Sequence, residues 1–159
     1  MSTHEKNKMG GFTLIEILIV IGIIAVLAAI VLIAVNPARQ FAKANDAQRA
    51  ANVNAILNGI GQYIVDQRGA TSTLGITVAA KEIRSGSGGV DLCTLLVQNG
   101  GYIAALPVDP KTGTGGPNVT SADCGSYNTK YTVEVDASGK LITVSAPSAE
   151  ATTTISVSR

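Results

Sequence analysis

The hydropathy pattern is dominated by an apolar run near the start of the chain. Between Phe12 and Val35 only Thr13, Glu16 and Gly22 interrupt it. As an α-helix this run would extend about 36 Å, at about 1.5 Å per residue, enough to cross a hydrocarbon core of about 30 Å. It is longer than the apolar stretch of about 7–15 residues in a secretory signal peptide. The pattern predicts a transmembrane helix over residues 12–35 that stays in the membrane.

Beyond Pro37 the apolar residues continue at the spacing of an amphipathic helix. They are Phe41, Ala44, Ala47, Ala51, Val53, Ile56, Leu57, Ile60 and Ile64. The other side of this helix is predicted to carry Asp46, Arg49, Asn54, Asn58 and Asp66. One long helix is expected, membrane-embedded in its first half and stopped at Gly69. A kink at Asn36–Pro37 is the alternative, because proline disfavours helix before it.

The remaining residues predict a small antiparallel sheet. Tyr131–Val135 alternates between apolar and polar residues, a turn follows at 136–139, and 141–146 returns as the partner strand. Residues 154–157 would add an edge strand. Ahead of these, 74–78 is expected to form a short strand, and Asp91 to cap a short helix over 92–98. The predicted fold is α+β, with the sheet packed on the second half of the long helix in a head of residues 36–159.

The chain has two cysteines, Cys93 and Cys124. An even count far beyond a membrane segment favours one disulfide in an oxidising compartment over two free thiols. Basic residues flank the predicted span on both sides, so the positive-inside rule does not fix its orientation. The predicted disulfide places the head outside and the N-terminus in the cytoplasm.

Glu16 is the unusual residue of the span, because a carboxylate deep in a bilayer costs about 2.5–3.5 kcal/mol. One possibility is that it reaches back to the lipid headgroups. The other is that a cut between Gly11 and Phe12 frees an α-amine on Phe12, one helical turn away. Glu16 of one subunit could then pair with this amine in the next subunit and set their register. The chemistry alone leaves both open.

The string Gly11-Phe12-Thr13-Leu14-Ile15-Glu16, after a short basic leader and at the start of the apolar run, resembles the signal of type IV pilins and pseudopilins. The resemblance implies a leader of residues 1–11, removed by a membrane-bound prepilin peptidase, and N-methylation of Phe12. It assigns Glu16 to assembly. A proline inside the apolar helix, found in many pilins, is absent from this sequence.

The resemblance also implies the partners and the location. Before assembly the subunit would lie in the cytoplasmic membrane, surrounded by lipid, as a single-pass protein with its N-terminus in the cytoplasm. It would then join copies of itself and other pilins in a helical fibre, through an inner-membrane assembly platform. The fibre would be an extracellular pilus or would span the envelope. In this family a disulfide often pins a C-terminal loop, and some pseudopilins hold calcium in such a loop.

Composition and candidate chemistry narrow the function further. Net charge is +1 with 14% charged residues, which speaks weakly against nucleic acid as a partner. No catalytic residue is predicted, because the single histidine, His4, lies in the expected leader. No cofactor or metal site is predicted either, because the sequence has no phosphate-loop or dinucleotide motif and its two cysteines have no histidine partners for zinc. Asp91, Asp109 and Asp123 lie in loops, and turn formation is favoured over calcium binding for them.

Three functions remain in order of preference. The first is a structural subunit of a type IV pilus or pilus-like fibre, and the second is a type II secretion pseudopilin. The third, from a different class, is a monomeric membrane-tethered module that binds an extracellular ligand. The expected cleavage junction at Gly11–Phe12 distinguishes the tethered module from the first two functions, because a simple membrane anchor does not need to be cut.

Overall fold

The computed structural model describes residues 11–68, 72–151 and 154–159. The chain forms two compact units that divide between Gln40 and Phe41. The expected long helix is present as two helices, α1 (Leu14–Val35) and α2 (Pro37–Asp66). The predicted stop at Gly69 lies outside the described residues.

The break between the helices falls at the Asn36–Pro37 step. Asn36 has left-handed backbone angles (φ 43°, ψ 82°), which asparagine tolerates better than most residues. Its carbonyl and side-chain oxygens accept hydrogen bonds from the Arg39 N–H, at 3.1 and 3.3 Å. Pro37 then suits the first position of α2, where an N–H would have no partner in the helix. Asn36 therefore ends one helix and begins the next.

In the described residues of the head, six strands and two short helical turns follow α2. The strands are β1 (Lys81–Arg84), β2 (Leu106–Pro107), β3 (Asn118–Val119), β4 (Asn128–Val135), β5 (Ile142–Ala146) and β6 (Ile155–Ser158). A 3₁₀ turn covers Ser72–Leu74, and a turn of π-helix covers Thr94–Gln98. Four strands form an antiparallel sheet in the order β1-β4-β5-β6, and β2 pairs with β3 separately.

The α+β prediction is confirmed, and so is the hairpin of β4 and β5 with β6 at the edge. Asp136 closes the hairpin turn by accepting the N–H groups of Lys140 and Leu141, each at 2.8 Å. Gly139 supplies the positive φ (73°) that this turn requires. The turn residues and the alternation of apolar and polar residues therefore both specify this hairpin.

The prediction of a strand at residues 74–78 is wrong. Leu74 ends a 3₁₀ turn and Gly75 adopts φ 66°, a left-handed conformation that breaks an extended strand. The first strand of the sheet is instead β1, which pairs with β4. Its sequence, Lys-Glu-Ile-Arg, buries only Ile83, so hydropathy gives little sign of it.

The core lies between α2 and the four-stranded sheet. Val53, Ile56 and Ile60 of α2 join the buried cluster that includes Tyr131 and Val144. Each of these side chains is at most 1% exposed. The second part of α2 therefore packs on the sheet as its periodicity predicts.

The first turns of α2 within the head contradict the predicted faces. Asp46 and Arg49, expected on the polar side, are buried, whereas Phe41 is 71% exposed and Ala44 and Ala51 are exposed. The reason is electrostatic. The two charged side chains belong to a buried ion network that outweighs the weak apolar preference of the alanines.

Cys93 and Cys124 are joined in a disulfide across 31 residues of sequence. It links the short helical turn to the loop before β4. Replacing both residues with serine is expected to lower the free energy of unfolding by about 3–4 kcal/mol, because the open loop gives the unfolded chain more freedom. Urea unfolding of the full chain in detergent would measure the loss. Reductant should shift the midpoint of the wild type and leave the double-serine variant unchanged; equal midpoints for the two proteins would contradict the expectation.

Candidate functional site

The candidate cleavage site lies just ahead of α1. Helix α1 starts at Leu14, with Thr13 as its N-cap in an extended conformation. Gly11 and Phe12 precede the cap, outside the helix, and the Phe12 side chain is 85% exposed. The Gly11–Phe12 peptide is therefore in non-helical, exposed backbone, which is the form in which proteases bind their substrates.

Glu16 takes part in a capping box with Thr13. Its Oε2 atom accepts the Thr13 N–H and the Thr13 hydroxyl, both at 2.8 Å. In return the Thr13 hydroxyl oxygen accepts the Glu16 N–H at 3.3 Å. The box satisfies two backbone donors at the helix start that would otherwise have no partner.

This local role of Glu16 was missed in the sequence, although its signal was present. A threonine followed three residues later by glutamate, just before an apolar run, is the sequence pattern of a capping box. Within the box, both hydrogen bonds from Thr13 go to Oε2 of the carboxylate. The structure of a single chain leaves the assembly role of Glu16 a prediction.

Helix α1 is long and apolar enough to span a membrane, judged by its length and composition. Its apolar residues are distributed around the whole helix, and in the described part of the chain none of its side chains is buried. A helix that is apolar on all sides needs an apolar environment, either lipid or other helices.

The head contains an ion network centred on Arg49, whose side chain is fully buried. The guanidinium donates to Asp109 through Nε at 2.7 Å and through Nη2 at 3.3 Å. It also donates to Asp46 through Nη1 at 2.9 Å, and to Glu150 through Nη2 at 3.1 Å. Lys111 approaches the other oxygen of Glu150 at 3.1 Å.

The network ties three separate parts of the head together. Asp46 lies on α2, Asp109 follows β2, and Glu150 lies in the loop between β5 and β6. The Asp109 N–H donates to the Thr129 carbonyl of β4 at 2.9 Å, which fixes Asp109 beside the sheet. Asp46 accepts the backbone N–H groups of Glu150 at 3.0 Å and Ala151 at 2.7 Å. These contacts fasten two loops to one helix.

The charged forms of these groups support one another. Hydrogen bonding to Asp109 is the main cause that raises the pKa of Arg49 above its ordinary value. Burial works against ionisation of Asp109, but Arg49 and the N–H groups of Lys111 and Thr112 outweigh it and hold the pKa of Asp109 at about 2. The pKa of Glu150 is lowered by Lys111 and by Arg49.

Acid is therefore expected to weaken the head through Asp109. Its pKa is about 2 in the folded chain and 3.8 ordinarily, so its contribution is fully present above the ordinary value and is lost as pH falls through the folded one. Tyrosine fluorescence during urea unfolding would follow the effect from about pH 5 to about pH 2. The Asp109→Asn variant should show a smaller change over this range, and an equal change in both proteins would contradict the assignment.

The other loop aspartates have local structural roles. Asp91 accepts the N–H groups of Cys93 at 3.1 Å and Thr94 at 3.3 Å, so the predicted helix cap is confirmed. The Tyr127 hydroxyl donates to the same carboxylate at 2.8 Å. The Thr120 hydroxyl, and after it the Thr120 N–H at 3.1 Å, donate to the Asp123 carboxylate and lower the pKa of Asp123.

The long apolar helix and the small antiparallel sheet are consistent with the α+β fold of a pilin-like subunit. The profile of the prokaryotic N-terminal methylation motif matches residues 6–32. The chain is 29% identical over 113 residues to the type II secretion system core protein G of Aeromonas hydrophila, covering 67% of this chain and 70% of that protein. No solved structure matches the chain. The motif and this relative support a structural subunit of the pilin and pseudopilin kind.

Proposed function

We propose that the chain is made as a precursor with a leader of residues 1–11, cut after Gly11 by a prepilin peptidase and N-methylated on Phe12. It is then polymerised into a fibre through residues 12–35, with residues 36–159 forming the head. The observation that carries this proposal is α1. Its apolar side chains are exposed on every side, and it begins directly after the Gly11–Phe12 step. Lipid covers such a helix before assembly, and the helices of other subunits cover it afterwards.

Glu16 sets the register between subunits in this proposal. Its Oε2 is held by Thr13 of its own chain, and its Oε1 accepts the Phe12 amine of a neighbouring subunit. A misplaced subunit would leave one of these charges unpaired in an apolar fibre, which is strongly unfavourable. The carboxylate therefore stabilises one arrangement of the helices over the others.

The disulfide supports the orientation in which the head leaves the cytoplasm. The Cys93–Cys124 bond belongs in an oxidising compartment. The subunit then waits in the cytoplasmic membrane with its N-terminus inside, until the assembly platform transfers it to the fibre. Its function is mechanical, and we assign it no catalytic activity and no cofactor.

Among fibres of this family we favour the pseudopilus of a type II secretion system. The similarity to core protein G extends over 113 residues, well beyond the motif at residues 6–32. The similarity therefore includes a large part of the head and is more than a shared cleavage signal. A type IV pilus is the second candidate.

The test is the mass and N-terminal sequence of the protein, recovered separately from cell membranes and from sheared fibres. A mature chain that begins with methylated Phe12 is the expected result. Its presence only in membranes at native expression would favour a pseudopilus, and its abundance in sheared fibres would favour a pilus. An intact precursor in both fractions would overturn the proposal and favour a monomeric tethered module.

A further inference from the structure

The Arg49 network has the layout of a cation site. Carboxylates from three separate segments, Asp46, Asp109 and Glu150, surround one positive group. Proteins commonly join carboxylates from separate loops through a bound calcium ion, because its six to eight oxygen ligands can come from different segments. The resemblance to pseudopilins also raises the question of a calcium ion in a loop of the head. Whether calcium fits depends on which groups the carboxylate oxygens already contact.

The carboxylate oxygens already have donors on several sides. Asp109 Oδ1 accepts the Lys111 N–H at 3.0 Å and the Thr112 N–H at 2.9 Å, and Asp109 Oδ2 accepts Arg49 Nε. Glu150 gives one oxygen to Arg49 and the other to Lys111. Across residues 11–68, 72–151 and 154–159, no three acidic, histidine or cysteine side chains are placed to share a metal ion. These carboxylate oxygens already accept hydrogen bonds from the chain itself, so their arrangement does not fit a calcium site.

Most of the negative charge in the network is balanced by cationic side chains of the chain itself. The three carboxylates carry about three negative charges, of which Arg49 and Lys111 neutralise two. Arg49 is fully buried and its guanidinium reaches all three acids. A planar group with five N–H donors in fixed directions can bridge several carboxylates at once, which a lysine ammonium does less well.

We propose that Arg49 takes the place of a bound cation in this head, and that the loops carrying Asp109 and Glu150 are fastened to α2 without a divalent metal ion. The subunit carries its own counter-ion. Its head should therefore keep the same stability in calcium-free and in calcium-rich medium. This inference concerns the head alone and does not depend on whether the chain assembles into a fibre.

The first measurement compares the thermal unfolding of the full chain, in detergent, in EGTA and in CaCl₂. All four tyrosines lie in the head, and their fluorescence reports its unfolding. The expected result is one Tm in both solutions, together with no calcium binding by titration calorimetry. A Tm higher by about 5 °C or more in CaCl₂ would overturn the proposal, because a ligand that binds only the folded state must raise its stability.

The second measurement uses Arg49→Met and Arg49→Lys in EGTA. Both variants should unfold at a lower temperature than the wild type. The methionine variant should be the less stable of the two, because it lacks the positive charge as well as the N–H donors of the guanidinium. Arg49→Lys is the milder variant and still gives a Tm where the methionine variant does not fold. A lysine variant as stable as the wild type would contradict the requirement for the guanidinium. The wild-type comparison decides the role of calcium in every case.

Discussion

Glu16→Ala is expected to reduce the yield of fibres by about 100-fold or more while cleavage after Gly11 continues. Without the carboxylate, the Phe12 amine enters an apolar helix bundle unpaired. Removing one partner of a buried ion pair costs about 3–5 kcal/mol, and each 1.4 kcal/mol is about a factor of ten in an equilibrium. The measurement is the amount of subunit in sheared fibres from cells that overproduce it, with the mass of the membrane-bound chain as the record of cleavage.

Glu16→Gln is the control that separates the two roles of this side chain. Its amide oxygen can still accept the Thr13 N–H and hydroxyl, as Glu16 Oε2 does at 2.8 Å, so the helix cap is retained. Only the charge is lost. We expect the glutamine variant to fail in assembly nearly as completely as the alanine variant. Normal fibres from Glu16→Gln would mean that Glu16 acts through the cap and not through an ion pair.

The sequence predicted the parts of the fold in which local patterns agree with the tertiary structure. The apolar run from Phe12 to Val35 allows hardly any structure except a helix. The β4–β5 hairpin has regular alternation and a turn with Asp136 and Gly139, so both its strands and its connection were predictable. The N-terminal signal was equally clear, because it is a short pattern of contiguous residues.

Other features depend on contacts that are distant in sequence. Arg49 meets Asp109 and Glu150, which lie 60 and 101 residues further along the chain. Helical periodicity treats each charged residue as a surface residue and therefore placed Asp46 and Arg49 on the wrong face. The position of β1 was missed for a similar reason, since its pairing with β4 and not its hydropathy defines it. Sequence reasoning found the anchor and the hairpin, and it could not find the ion network that orients the start of α2 in the head.

Arg49→Met is expected to lower the free energy of unfolding of the head by about 3–5 kcal/mol, because it leaves three acids facing one another in a buried site. The loss would be measured by urea unfolding of the full chain in detergent near neutral pH, followed by tyrosine fluorescence. Arg39→Met is the matched control. Arg39 is an exposed arginine on the same helix, and its replacement should change the free energy by less than about 0.5 kcal/mol. Equal effects at the two positions would contradict the buried network.

A triple variant tests whether Arg49 matters as a counter-ion or as packing volume. Asp46→Asn, Arg49→Met and Asp109→Asn together remove the cation and two of the acids it neutralises. Replacing a whole buried ion network often costs little, whereas removing one member costs much. The triple variant should therefore be more stable than Arg49→Met alone, although it carries two further substitutions, and this non-additivity is the sign of direct coupling. A triple variant less stable than the single one would mean that the acids stabilise the head without Arg49, through the backbone N–H groups that Asp46 and Asp109 accept.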